Sequence, residues 1–297
     1  MASRQELAAA RRLQRIADAA EPAVRARVLR ALLALQRGIR ADRLERVLVA
    51  GDAFSLYDLA STLPAGLRPA LRLLSAVYRN AAKATTLPGG IRVSFSMLDP
   101  FAIEAARTRT AELVTRVTQE TRRAISAIVR RGFVQGIPPR EMAALIRPLI
   151  GLTEGQARSV LRMQASLRSQ GLTAREVAAR TERYALRLLR QRAITIARTE
   201  TIRAAAQGQL DTMREARFRG LLPQGVRKQW MVTPDDRLCD ECSAMDGESV
   251  PLDSLFPGGV DAPPLHPRCR CAVVVDVQTI RTPQPQPRRA MRVGRAA

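Results

Sequence analysis

Val24, Val28, Leu32, Leu35 and Ile39 recur at three- and four-residue intervals, the spacing that lines one face of an α-helix. Upstream, Ser3 and Glu6 stand as a capping box, and Pro22 sits where a first helical turn tolerates a missing N–H. The pattern predicts a helix start at each point and a stop at Gly51. Shorter helices are expected from Asp52 to Lys83, interrupted at Pro64. This section reads as an ordinary helical core.

Leu87-Pro88-Gly89-Gly90 is a breaker cluster and the expected domain boundary. Ile91, Val93, Phe95 and Met97 alternate with Arg92, Ser94 and Ser96, which predicts a short strand. Asp99-Pro100 then caps a long helix reaching about Gly136, with Ile103, Ala106, Leu113, Val117, Ala124 and Ile128 as its buried stripe. Another helix is expected from Pro139 to Ile150. Two further capping boxes, Thr153 with Gln156 and Thr173 with Glu176, start helices that run to about Gly220.

After Gly220 proline and glycine rise and the helical period ends. Val226 to Val232 reads as a strand carrying Trp230, Thr233-Pro234-Asp235-Asp236 as a turn, and Ala272 to Val275 as a buried strand. The fold class expected is therefore mainly α: a helical N-terminal region and long helices, with a small C-terminal α+β module. By residue, 1–88 is a helical region, 91–277 a second domain (helical 99–220, module 226–277), and 278–297 a tail.

All four cysteines and the single histidine fall in that module, as Cys239-x-x-Cys242 and His266-x-x-Cys269-x-Cys271. Thiolate and imidazole are zinc's preferred ligands, and a two-residue spacer lets one turn present both sulfurs to a tetrahedral ion. Two disulfides would use the same cysteines but suit secreted chains, and the start of this one lacks an apolar signal core. We therefore expect a closed structural zinc (Zn2+) site. Five candidates compete for four positions, and spacing leaves open whether His266 or Cys271 completes the set. So short a segment, poor in large apolar side chains, buries too little to hold its shape alone. Structural zinc contributes on the order of 10–16 kcal/mol.

The net charge of +22 is nearly all arginine, since Lys83 and Lys228 are the only lysines. Such a surplus points to a polyanion, with nucleic acid first. Aromatic residues are 3% of the chain, too few for a base-stacking platform, so non-specific contact with the backbone of double-stranded DNA fits better. The tail from Gln278 carries Arg281, Arg288, Arg289, Arg292 and Arg295 and no acid, and is read as a disordered DNA-contact arm. No apolar run approaches the roughly 18 residues of a membrane span, so no membrane partner is expected. An enzyme is not expected either. A zinc deaminase needs a His-x-Glu element, and there is no second histidine. The alternative kept is a zinc-containing non-specific DNA-binding protein or DNA-processing enzyme.

Trp230, Asp235-Asp236-Arg237, Cys239-x-x-Cys242, Gly247 and His266-Pro267-x-Cys269-Arg270-Cys271 form a spaced set. With the upstream Ala197-Arg198-Thr199-Glu200, that set resembles the Mu protein F-like minor head morphogenesis proteins of tailed bacteriophages, over roughly Asp99 to Val277. The resemblance implies a few-copy capsid component at the portal vertex, in contact with packaged DNA, acting in head morphogenesis and in DNA packaging or ejection. It implies the portal protein as partner, with the major capsid or scaffolding protein beside it. The location implied is the virion, in the capsid interior or at the portal vertex, with host cytoplasm during assembly. Arg198, Glu200 and Trp230 are expected to brace the module against the helices.

Overall fold

Ser3 and Glu6 close the expected capping box, each side chain taking the other's backbone amide, and start α1 (Arg4–Gly38). These residues belong to a computed structural model that describes residues 3–50, 61–92, 100–134, 136–233, 235 and 238–281. No new helix begins at Pro22. The chain runs straight through it, because Leu13, Ala17, Val24, Val28 and Leu32 make one continuous buried stripe. That burial outweighs the single backbone bond that Pro22 cannot make. The break comes earlier than expected, at Ile39, which leaves the helical conformation (φ −94°, ψ 106°) and buries its side chain. Helix α2 (Ala41–Val49) follows, and Gly51 lies outside the described residues.

A helix opens at Pro64, and the helices expected before it, over 52–60, lie outside the described residues. Pro64 stands in the first turn of α3 (Leu63–Ala84), where its missing N–H costs nothing. Of the strand expected over Ile91 to Met97, Ile91 and Arg92 are in irregular backbone, and the rest lies outside the described residues. So does the Asp99 cap of α4 (Pro100–Val134) and so do the side chains of Ile103 and Ala106, while Leu113, Val117, Ala124 and Ile128 are buried as expected. Helix α5 (Pro139–Ile146) tightens into a single 3₁₀ turn, Arg147–Leu149, at Pro148, so it ends short of Ile150. Both threonine capping boxes are present, at the starts of α6 (Glu154–Ser169) and α7 (Ala174–Phe218).

Helix α7, 45 residues long, is the spine. Its middle packs against α1 and α3. At Gly208 the backbones nearly touch, and a Cβ there would lie 2.3 Å from the Tyr78 carbonyl oxygen. The Tyr78 hydroxyl bonds Asp211 at 2.8 Å beside this approach. The main core draws on both sides of Pro88, with Val28, Leu32 and Leu67 packed among Leu113, Ile146, Val160 and Leu189. Arg192 lies inside it, its guanidinium bonded to Thr121 at 3.0 Å, the Val117 carbonyl at 3.1 Å and Glu120 at 2.9 Å.

Three short strands, β1 (Arg227–Met231), β2 (Ser249–Pro251) and β3 (Ala272–Val275), form an antiparallel sheet in the order β2-β1-β3. All four residues of β3 are buried because both its faces are covered. Ala272 and Val274 pack with Leu13 and Ala17 of α1, Val77 of α3 and Ile202 of α7. Val273 and Val275 face the other way with Trp230 and Phe256, towards the cysteines. The expected fold class, mainly helical with a small C-terminal α+β part, is what the chain forms. No helix among the described residues is long and apolar enough to cross a membrane.

Candidate metal centre

Cys239 caps the one-turn helix α8 (Asp240–Ser243), its sulfur accepting the Cys242 amide at 3.4 Å. That turn brings both sulfurs of the Cys-x-x-Cys pair to one side. His266 reaches them from the later loop. Its Nδ1 faces the Pro267 carbonyl at 2.9 Å, which holds the ring and aims Nε2 at Cys239 (3.1 Å) and Cys242 (3.0 Å). Arg268 then takes a left-handed conformation (φ 67°) and turns the chain inward, so that Cys269 and Cys271 are both buried. The Cys242 and Cys269 sulfurs are 3.7 Å apart. Metal–sulfur arms of ~2.3 Å at tetrahedral angles give an edge of about 3.8 Å, so this pair already has a ligand spacing.

The five donors form two groups that share Cys242: Cys239, Cys242 and His266, and Cys242, Cys269 and Cys271. Within each group the ligand atoms lie within 4.8 Å of one another. All four cysteines are free thiols rather than disulfides. The cluster can hold a metal ion, with His266 on one side of Cys242 and Cys271 on the other.

Its electrostatics fit a cation. Burial and the charge of Cys269 push the Cys242 thiol up. Cys271 is pushed up by its hydrogen bond to Cys269 and by burial. Cys269, receiving that bond and the Cys271 amide, is held low. Cys239 is lowered by the Cys242 amide. Four sulfurs this close cannot all ionise unaided, and a central positive charge is what reconciles them. At His266 burial opposes the charged form, but the Pro267 carbonyl and the Cys269 and Cys239 sulfurs raise its pKa.

Trp230, fully buried, meets the Phe256 ring edge-on at 5.2 Å, and its indole N–H has no acceptor at normal hydrogen-bond geometry. That N–H favours the charged form of Cys271, so Trp230 belongs to the cluster's surroundings. Arg198 and Glu200 do not reach this lobe. Arg198 bonds Asp18 (2.5 Å) and Glu21 (2.7 Å) of α1, while Glu200 takes Arg116 of α4 and Arg203, so both tie helix to helix.

The residue between them makes the contact. The Thr199 hydroxyl accepts the Arg268 amide at 3.1 Å, and the Arg268 guanidinium donates to Thr195 (2.9 Å) and Gln191 (3.0 Å) on the same helix. Further ties come from Arg214, which forks onto both Asp261 oxygens at 2.9 Å, and from Gln14 of α1, which donates to the Arg270 carbonyl at 2.9 Å. Lys228, wholly buried, bonds the Asp261 carbonyl at 2.7 Å beneath the Phe256 ring. None of these carried a sequence signal except Arg268, which sits inside the His-Pro-x-Cys block. The Asp235 turn is held by an ion pair to Arg270, and Asp236 lies outside the described residues. Of the tail arginines, Arg281 ends the short helix α9 (Gln278–Arg281), and Arg288, Arg289, Arg292 and Arg295 lie outside them.

Fold and site together define a helical protein whose carboxy-terminal lobe is gathered round a Cys/His cluster able to bind metal. Residues 169–274 match the family model described as Phage Mu protein F like protein. The matched stretch takes in α7, the strands as far as Val274 and all five candidate ligands. No curated protein and no solved structure gives a significant match.

Proposed function

We propose that this chain is a minor head protein of a tailed bacteriophage, seated at the portal vertex in contact with packaged DNA and acting in head morphogenesis and in packaging or ejection. The observation that carries the reading is the family match over 169–274, which covers the docked lobe and the helix that carries it. The ion in the cluster is zinc in a structural role, since a Cys/His donor set in a buried lobe suits zinc and contributes to folding outright. The portal protein is the partner, with the major capsid or scaffolding protein beside it. Double-stranded DNA is bound without sequence preference, through a surplus of +22 that neutralises phosphates. The role involves no catalysis.

Mass analysis of purified particles, with copies counted per portal, tests this. A few copies per particle and about one zinc per copy are expected. Particles that assemble, package and infect normally without the chain would overturn it.

A further inference from the structure

The arginines of α7 divide sharply in two. From Arg192 onward, every one is ion-paired: Arg192, Arg198, Arg203, Arg214 and Arg217 each lie within 4.0 Å of a carboxylate. Before it, Arg180, Arg183, Arg187 and Arg190 are exposed and lie within 4.0 Å of no carboxylate among the described residues, with Arg187 over the Tyr184 ring at 4.9 Å. Their spacing of three, four and three places them on one face. At 1.5 Å per residue they span about 15 Å, roughly one guanidinium per 5 Å.

Of the two carboxylates on this half of the helix, Glu176 stands at the start of the row, where the Thr173 hydroxyl (2.7 Å), the Thr173 amide (3.0 Å) and, one turn on, the charge of Arg180 hold its carboxyl low; Glu182 falls off the row by its helical position. Beyond Arg190 the row is continued by another segment. Arg268, between the ligands His266 and Cys269, lays its guanidinium on Gln191 and Thr195, one and two turns after Arg187.

We propose that this face, Arg180-Arg183-Arg187-Arg190 extended by Arg268, is a track for the phosphate backbone of duplex DNA. Past Glu176 at its start the face carries charge of one sign, and its spacing is coarser than the duplex's one phosphate per ~3.4 Å of axis on each strand, so each guanidinium can find its own phosphate. Unlike the tail, the track has fixed geometry, and the metal loop supplies its last member. It rests on the DNA contact of the proposed function and places that contact on the body of the protein.

The test measures binding of the full-length, metal-bound chain to two unrelated duplexes across a salt series. Each lost phosphate contact lowers the slope of log K against log salt by about 0.9. R180Q/R183Q/R187Q/R190Q should therefore lower it by roughly 3 to 4 on both duplexes, and R268Q alone by about 1 with metal content retained. A matched loss of four charges on α1, R11Q/R15Q/R25Q/R30Q, should leave the slope unchanged, with circular dichroism confirming that each variant is folded.

An equal loss in the α1 variant would mean that total charge alone matters, and would overturn the track. An unchanged slope in the α7 variant would overturn it while sparing the DNA contact. Loss of binding to an acidic protein partner with that slope intact would reassign the face to a protein. A wild-type chain with no salt-dependent duplex binding would remove both the track and the DNA contact it rests on.

Discussion

Thr199 is one hydroxyl on a long helix, yet it receives the backbone amide of Arg268 between two candidate metal ligands. Replacing it with valine keeps the shape and leaves that amide without its acceptor. Thr199→Val is expected to weaken lobe docking by about 1 kcal/mol, whereas Thr199→Ser keeps the bond. Urea titrations followed by Trp230 emission check this, and equal midpoints for the two variants would contradict it. The cluster itself was legible at this scale, because a thiol or imidazole is a ligand by its own chemistry and all five stand close in sequence. Thr199, Thr195 and Gln191 were not, since a polar side chain on a helix looks the same whether it meets water or another segment. Arg198 and Glu200 were misplaced for that reason. Sequence marked them as charged neighbours, but only packing decides that their partners sit on α1 and α4.

At the scale of elements, the lobe after Gly220 is three short strands and two single turns folded over five metal-binding candidates. Its apolar contacts centre on Trp230 and Phe256, while the helical body has a large core of its own. Removing the ion with a chelator should loosen the lobe and leave most helical signal in place. Trp230, the one tryptophan, reports the lobe directly: its emission should move to longer wavelength while far-UV circular dichroism falls little. Unchanged emission after complete metal removal would refute this. Helix starts at Ser3, Thr153 and Thr173 were readable because a capping box satisfies its amides locally. Pro22 was not. It lies inside a helix and Pro64 begins one, and the difference is set by whether the residues on either side share one buried stripe.

Across the whole molecule, the sheet is held between the cysteine lobe and the helices, and the first turns of α1 are part of its cover. Leu13 meets Ala17, Ile202, Met231 and Val274 in that seam. Leu13→Asp would bury an unpaired carboxylate there, at a cost on the order of 3 kcal/mol. Loss of Trp230 emission and loss of helical signal should both move to lower urea in this variant, where chelation separates them. A shift in the helical signal alone would show that the seam does not couple the two. This sharing of a core across Pro88 had no signature in the sequence, because a breaker cluster marks where the chain turns and says nothing of what packs together afterwards.

One unbroken rod of about 68 Å carries the arginine row near one end and the seat of the metal loop further along. The heading of that row is thus geared to the lobe by the chain itself. Whatever surface grips the lobe also aims the cationic face, and no second joint has to be set before a polyanion meets it.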